Sequence, residues 1–316
     1  MKNIALLGYG NIGKKIFNKS LKEKNLSINK ILKKKITNLK LLNVKFFTNF
    51  KTFTKSKKND GYIIATPLES HYEYATKIIK QNKPFIIEKP LVTNLAELEE
   101  FYSKCKNYKQ SIFVNHSDLY NPSFLIFLKN IKLIGTYKKI EMFFGKYQEI
   151  KGFDILNKNN SFLPSFDWMP HPLAITIKLA GLPKKIKILK NNLSLKKKIL
   201  FQKSNINLYC KNKVVNIKFS NSYLIPKKRV IIKGSKATLI YDGYKRAIFI
   251  KKKNNKYFKR VFYSKIDSLE NLLKLFYLSL KQKYYRNDTH LAYKIMKVLF
   301  NIENKMKKEF IITKKN

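Results

Sequence analysis

Three groups of residues have types and spacings suited to chemistry. GYGNIG, residues 8–13, matches G-x-G-x-x-G. In a dinucleotide turn of this kind Gly8 permits the tight bend, Gly10 lets the backbone approach a pyrophosphate, and Gly13 allows close helix–strand packing. Asn11 and Ile12 open the helix whose unpaired N–H groups face the phosphates. In PFIIEKPLV, residues 84–92, an apolar run ends abruptly in Glu88, Lys89 and Pro90. A carboxylate there can accept hydrogen bonds from a ribose, and an ammonium can reach a reacting carbon; capping of the next helix by an ion pair is the plainer alternative. Pro90 bars Lys89 from helical geometry. Further on, Asp167 and His171 lie four residues apart, on one face of a helix if the segment is helical. An imidazole beside a carboxylate is a good general base near neutral pH, although a structural histidine beside a turn would look the same.

These groups need a scaffold, and the first 120 residues have the pattern of one. Short apolar runs at 3–7, 28–32, 44–47, 61–66, 84–88 and 111–115 alternate with helical patterns at 12–24, 69–81 and 95–106. That alternation predicts βαβ units and a parallel sheet. In such sheets ligands bind beyond the carboxyl ends of the strands, where Gly8, Thr66, Glu88 and Asn115 all fall. The second half reads differently. Short strand patterns at 206–210, 214–220, 229–234, 237–243 and 247–252 follow one another directly, with a tight hairpin expected at Asp242-Gly243. The expectation is an α/β Rossmann domain over residues 1–121, then an α+β domain with a mainly antiparallel open sheet over 122–316. A helical end spans about 268–307.

The dinucleotide fingerprint also calls for an acidic residue about 20 positions past the turn to hold the ribose hydroxyls. Here that place falls on Lys33, in a run of three lysines. A cation suits the 2′-phosphate of NADP, so NADP is favoured over NAD.

Composition narrows the partners. The net charge of +48 suggests a polyanion, yet of 67 basic residues only Arg229, Arg246, Arg260 and Arg286 are arginine. Base-edge readout leans on the arginine fork, and the lysines are spread along the chain beside Asn, Ile, Phe and Tyr, residues that share AT-rich codons. No specific nucleic-acid role is expected. The longest apolar runs fall far short of the roughly 18 residues of a membrane helix. Cys105 and Cys210 form neither a metal spacing nor a disulfide framework; no metal and a reducing cytoplasm are the expectations.

The segment DGYIIATPLESHYEYATKIIKQNKPFIIEKPL, residues 60–91, resembles the Gfo/Idh/MocA family of glucose–fructose oxidoreductases and inositol dehydrogenases. The resemblance rests on Thr66-Pro67, on His71 four residues after that proline, and on Glu88-Lys89-Pro90. With the glycine turn it covers residues 1 to about 122. DWMPHPLAITIKLAGLP is similar, more loosely, to the family's Asp-x-x-x-His helix and Gly-x-Pro, with Asp167, His171, Gly181 and Pro183 as matches. Leu119 stands where an arginine is common, and SFLPSF replaces a glycine-rich approach to Asp167. The resemblance implies a cofactor site including Thr66, Pro67, His71, Glu88 and Asn115. It also implies reversible hydride transfer between NAD(P) and a carbinol of a sugar, nucleotide sugar or cyclitol. His171 would take the hydroxyl proton, Lys89 would stabilise the oxygen, and Asp167 would share the relay. A dinucleotide-binding regulator or scaffold is the alternative within the same fold. Homo-oligomers through the second sheet are also implied.

Overall fold

The structure, a computed structural model, describes residues 1–35, 41, 43–55, 59–150 and 162–314, with side chains as far as residue 309. The chain divides into two compact units. The first comprises Met1–Ser117 and Leu269–Tyr293, and the second Asp118–Ser268 and Lys294–Asn316. The sequence placed one boundary at 121/122; the return of Leu269–Tyr293 to the first unit was not part of that reading.

The first unit holds six parallel strands: β1 (Lys2–Leu7), β2 (Leu26–Leu32), β3 (Lys45–Phe47), β4 (Gly61–Ile64), β5 (Phe85–Ile87) and β6 (Ile112–Val114). Their order is β3-β2-β1-β4-β5-β6, a doubly wound sheet that reverses direction between β1 and β4. β4, β5 and β6 are buried along their whole length. Continuous apolar runs such as Phe85-Ile86-Ile87 are what a sheet covered on both faces requires. The helices are α1 (Asn11–Ser20), α2 (Phe50–Lys55), α3 (His71–Ile79) and α4 (Leu95–Cys105).

A late segment completes this unit. Most of helix α8 (Ser268–Leu280), from Leu269 onward, packs here, with Phe276 edge-on to Phe113 at 5.6 Å and Glu270 paired to Lys19 at 2.6 Å. Beyond it the chain runs beside β6: the Ile112 N–H donates to the Arg286 carbonyl, and the Asp288 N–H donates to the Ile112 carbonyl. Asp288 also accepts from the Val114 N–H, which ties off the edge of the sheet.

The second unit is built on eight strands: β7 (Lys139–Gly145), β8 (Lys185–Lys196), β9 (Ile199–Cys210), β10 (Lys213–Ser220), β11 (Lys227–Lys233), β12 (Ala237–Asp242), β13 (Ala247–Lys252) and β14 (Lys259–Tyr263). The order is β14-β13-β12-β11-β7-β10-β9-β8, antiparallel except for the β7–β10 pair. Helices α5 (Pro122–Asn130), α6 (Pro164–Trp168) and α7 (Pro170–Ala180) belong to this unit, and α9 (Thr289–Lys314) passes from the first unit into it. β9 alternates buried with partly exposed positions, the signature of a sheet covered on one face. The strands at the two edges are β8, with four lysines, and β14, which opens on Lys259-Arg260, and charged edges of this kind discourage strand addition. The expected two-residue hairpin at Asp242-Gly243 is a four-residue connection instead. Asp242 pairs with Ala247, its carboxylate accepts the Lys245 N–H, and Arg246 takes the left-handed φ of 50°.

None of the described helices is long and apolar enough to cross a membrane.

Candidate functional site

At the carboxyl ends of the parallel strands the glycine turn has the shape its sequence requires. Gly8 has φ +93°, and a Cβ there would lie 2.3 Å from the Ala65 carbonyl oxygen; at Gly13 a Cβ would meet the Gly8 carbonyl at 2.2 Å. Those two glycines are forced by the fold. Gly10 is not, because a Cβ there meets nothing within 4 Å. It caps α1 in extended geometry, with no side-chain cap and no acidic residue in the first turn. The first-turn N–H groups of any helix lack intrahelical acceptors, and here Asn11 and Ile12 are exposed beside them. Packing gives no reason for glycine at position 10, whereas close approach of a phosphate does.

The neighbouring strand ends bring further polar atoms. The Thr66 hydroxyl is buried without a hydrogen-bond partner, an orphan of the kind a bound ligand relieves. Pro67 is exposed and starts the turn into α3. Glu88 is buried and accepts a 2.6 Å hydrogen bond from the Asn115 amide. The Lys89–Pro90 bond is cis, and Lys89 lies half-buried outside any helix. The capping alternative for Glu88-Lys89 does not hold. Asn94 caps α4 through the Glu97 N–H, while Glu97 reaches back to the Thr93 N–H at 2.9 Å.

His71 takes a different place from the one the sequence reading gave it. Both ring nitrogens meet backbone carbonyls, Pro90 at 2.7 Å and Thr66 at 2.8 Å, and the ring is almost wholly buried. Burial pushes its pKa down, against the two carbonyls, which favour the protonated ring, and the ring lies between the ends of β4 and β5. Lys33 follows β2 directly, half-buried, and the preceding Leu32 carbonyl accepts the Gly8 N–H. It therefore stands next to the turn, where the ribose-binding acid is expected.

The second unit contains a separate cluster of charged groups. Asp118, 2% exposed, sits in a short turn at Ser117–Tyr120. One carboxylate oxygen accepts from the Tyr241 hydroxyl at 2.9 Å. The other faces the Lys228 ammonium at 3.0 Å and His171 Nδ1 at 3.4 Å. Burial works to raise the pKa of Asp118, but Lys228 and His171 beside it hold the carboxyl well below the usual range. Burial, with Asp118 and Asp242 nearby, drives the Tyr241 phenol well above its ordinary value. Room for Lys228 comes from Gly243, where a Cβ would stand 2.9 Å from the lysine Cδ.

His171 is on the first turn of α7 and Asp167 on α6, with Met169 between the two helices. A carboxylate that faces the imidazole is Asp118, which the sequence reading passed over; Asp167 is an exposed residue. The only local hint of Asp118 was its place just after β6, at the change of domain. Among the described residues no cluster of three or more His, Cys, Asp or Glu is placed to hold a metal.

Residues 2–116 match the model of an oxidoreductase family with an NAD-binding Rossmann fold, Gfo/Idh/MocA. No curated protein matches in sequence. Among solved structures the chain is similar to UDP-N-acetylglucosamine 3-dehydrogenase GnnA from Acidithiobacillus ferrooxidans, at 15% identity and TM-score 0.77, with 96% of each chain covered. It is similar to an oxidoreductase from Agrobacterium radiobacter in complex with NAD+, L-tartaric acid and magnesium, at 16% identity, TM-score 0.75 and 94% of each chain. It is also similar to biliverdin reductase from Synechocystis sp. PCC 6803 with biliverdin and NADP+, at 11% identity and TM-score 0.75, covering 96% of this chain and 98% of that one. At such identities the likeness is one of fold.

Proposed function

We propose, from the match of residues 2–116 to the Gfo/Idh/MocA oxidoreductase family model, that this protein is an NAD(P)-dependent dehydrogenase or reductase. Its substrate would be the carbinol or carbonyl of a sugar, nucleotide sugar or cyclitol. The observation that supports catalysis over mere dinucleotide binding is the His171–Asp118 pair at 3.4 Å. A sensor needs the glycine turn but not an imidazole held against a buried carboxylate.

The residues of the first unit fit the cofactor. Gly10 and the first turn of α1 would receive the pyrophosphate, Glu88 and Asn115 the nicotinamide ribose, and Lys33 the adenosine end. Bound there, the nicotinamide supplies the hydride chemistry. His171 takes the proton of the reacting hydroxyl, and Lys89 donates a hydrogen bond to that oxygen and stabilises its developing charge. Asp167 remains a candidate for the relay through its place beside the His171 helix. NADP is preferred, because Lys33 occupies the position of the ribose-binding acid.

The test is nicotinamide absorbance with NAD and NADP against sugars, nucleotide sugars, cyclitols and biliverdin. Turnover lost in Lys89→Met with dinucleotide binding retained supports the reading. Dinucleotide binding without turnover on any of them leaves the regulator or scaffold. Full turnover in Lys89→Met overturns that residue's role. Lys33→Asp should move the preference from NADP toward NAD; an unmoved ratio removes Lys33 from the site. Light scattering tests the proposed homo-oligomer through the second sheet. Both cysteines are buried free thiols, in keeping with a reducing compartment.

A further inference from the structure

We propose that Asp118 is the positioning residue for His171, holding the proton of the imidazole on Nδ1 so that Nε2 is the atom that exchanges a proton with substrate. The inference rests on the reading of His171 as the base and assigns to Asp118 the orienting role that spacing alone gave to Asp167.

Three features of the cluster carry it. The carboxylate faces Nδ1 at 3.4 Å, a separation longer than a tight hydrogen bond, as is common before substrate closes around a base. The carboxylate cannot swing away, because the Tyr241 hydroxyl holds its other oxygen at 2.9 Å and Lys228 is 3.0 Å from the same oxygen that faces His171. The aspartate is 2% exposed on its side chain and the imidazole 13%, so the charge is little screened by water while the ring keeps a path to the surface. A ring oriented by a carboxylate on one nitrogen presents the other in a fixed tautomer.

Lys228 gives the arrangement its second property. Asp118 stabilises the imidazolium, whereas the ammonium beside it opposes that charge. The two influences pull the basicity of His171 in opposite directions. Other groups around the pair include Tyr241, whose phenol remains protonated, Tyr244, which feels the Asp118 charge, and the Trp168 ring 6.2 Å from the imidazole. Asp167, four residues before His171, is an exposed carboxylate.

The test is NMR titration of the four histidines in the full-length protein, with His171 assigned by the signal lost in His171→Gln. Asp118→Asn should lower the His171 midpoint, and Lys228→Met should raise it, each by about one to three pH units. The Nδ1-protonated tautomer, read from 15N shifts, should be lost in Asp118→Asn and kept in Lys228→Met. Midpoints that stay put, or that move in the same direction in both variants, overturn the proposal. Should Asp118→Asn fail to fold, Lys228→Met alone decides by the sign of its shift. The titration needs neither substrate nor turnover. Opposite shifts in a protein inert toward every substrate would uphold the pairing while removing the proposed activity.

Discussion

Two buried carboxylates, one in each unit, are held by different means. Glu88 stands at the end of β5 and takes a hydrogen bond from Asn115 at the end of the adjacent β6. Asp118 faces an imidazole, an ammonium and a phenol, from α7, β11 and β12. The first carboxylate meets a neutral amide. The second stands in that cluster, and removing any member exposes the rest. The consequence is an asymmetry of cost: the second site is the more expensive to disturb.

That asymmetry breaks first, and most visibly, at Lys228. Replacement by Met leaves a buried carboxylate short of its ammonium, a loss of about 3–5 kcal/mol for a buried pair. Glu88→Gln, by contrast, should cost about 1 kcal/mol, since an amide oxygen can still accept from Asn115. Urea unfolding of the two variants compares them directly, and equal losses would erase the distinction between the sites. The pH dependence has a definite sign. The folded pKa of Asp118 lies below its ordinary value, so its stabilisation is present above about pH 4 and is lost as pH falls through the depressed value. The deficit of Asp118→Asn should therefore be greatest near neutrality and shrink in acid. A deficit that is constant with pH would mean that folding does not shift the pKa of this carboxyl.

The same two regions show why one site was readable in the sequence and the other was not. Residues 8–13 act through backbone geometry within a single turn, so type and spacing were enough to place Gly8, Gly10 and Gly13. Glu88 and Asn115 were readable because strand ends in a parallel sheet converge by topology. The Asp118 cluster has no such local rule. Its members come together only through the register of β11 against β12 and the placing of α7, and Lys228 is one lysine among many. For Asp167 the four-residue spacing to His171 does not lie on one continuous helix, since the helix is interrupted at Met169. The sequence reading expects the segment Leu269–Tyr293 to be helical within one run over about 268–307 and to belong to the second domain. The helix instead stops at Leu280 and resumes at Thr289, and the segment groups with the first unit. Helical periodicity says which face is apolar and not what covers it.

Within the glycine turn the comparison can be made finer. Gly8→Ala asks a side chain to adopt φ +93° and to sit 2.3 Å from the Ala65 carbonyl oxygen. Strained backbone of this kind costs about 1–3 kcal/mol, and here the clash is with backbone that cannot turn away. Both thermal stability and dinucleotide binding should fall. Preserved stability would mean that β1 and β4 can separate locally without cost to the sheet.

Gly10→Ala should do the reverse, with the smallest effect on the fold and a specific effect on the ligand. An added methyl meets nothing within 4 Å, and the extended backbone there suits any residue. Alanine is a poorer helix cap than glycine, so a loss of up to about 1 kcal/mol is expected. Dinucleotide affinity should fall by about tenfold or more, since 1.4 kcal/mol of lost approach is enough for that. The measurement is calorimetric titration of NAD and NADP into the two glycine variants alongside thermal melts. If Gly10→Ala melts normally and binds normally, the open space at residue 10 is not where the pyrophosphate lies. If it melts normally and fails to bind, the one glycine of the three that packing does not require is the one the ligand does.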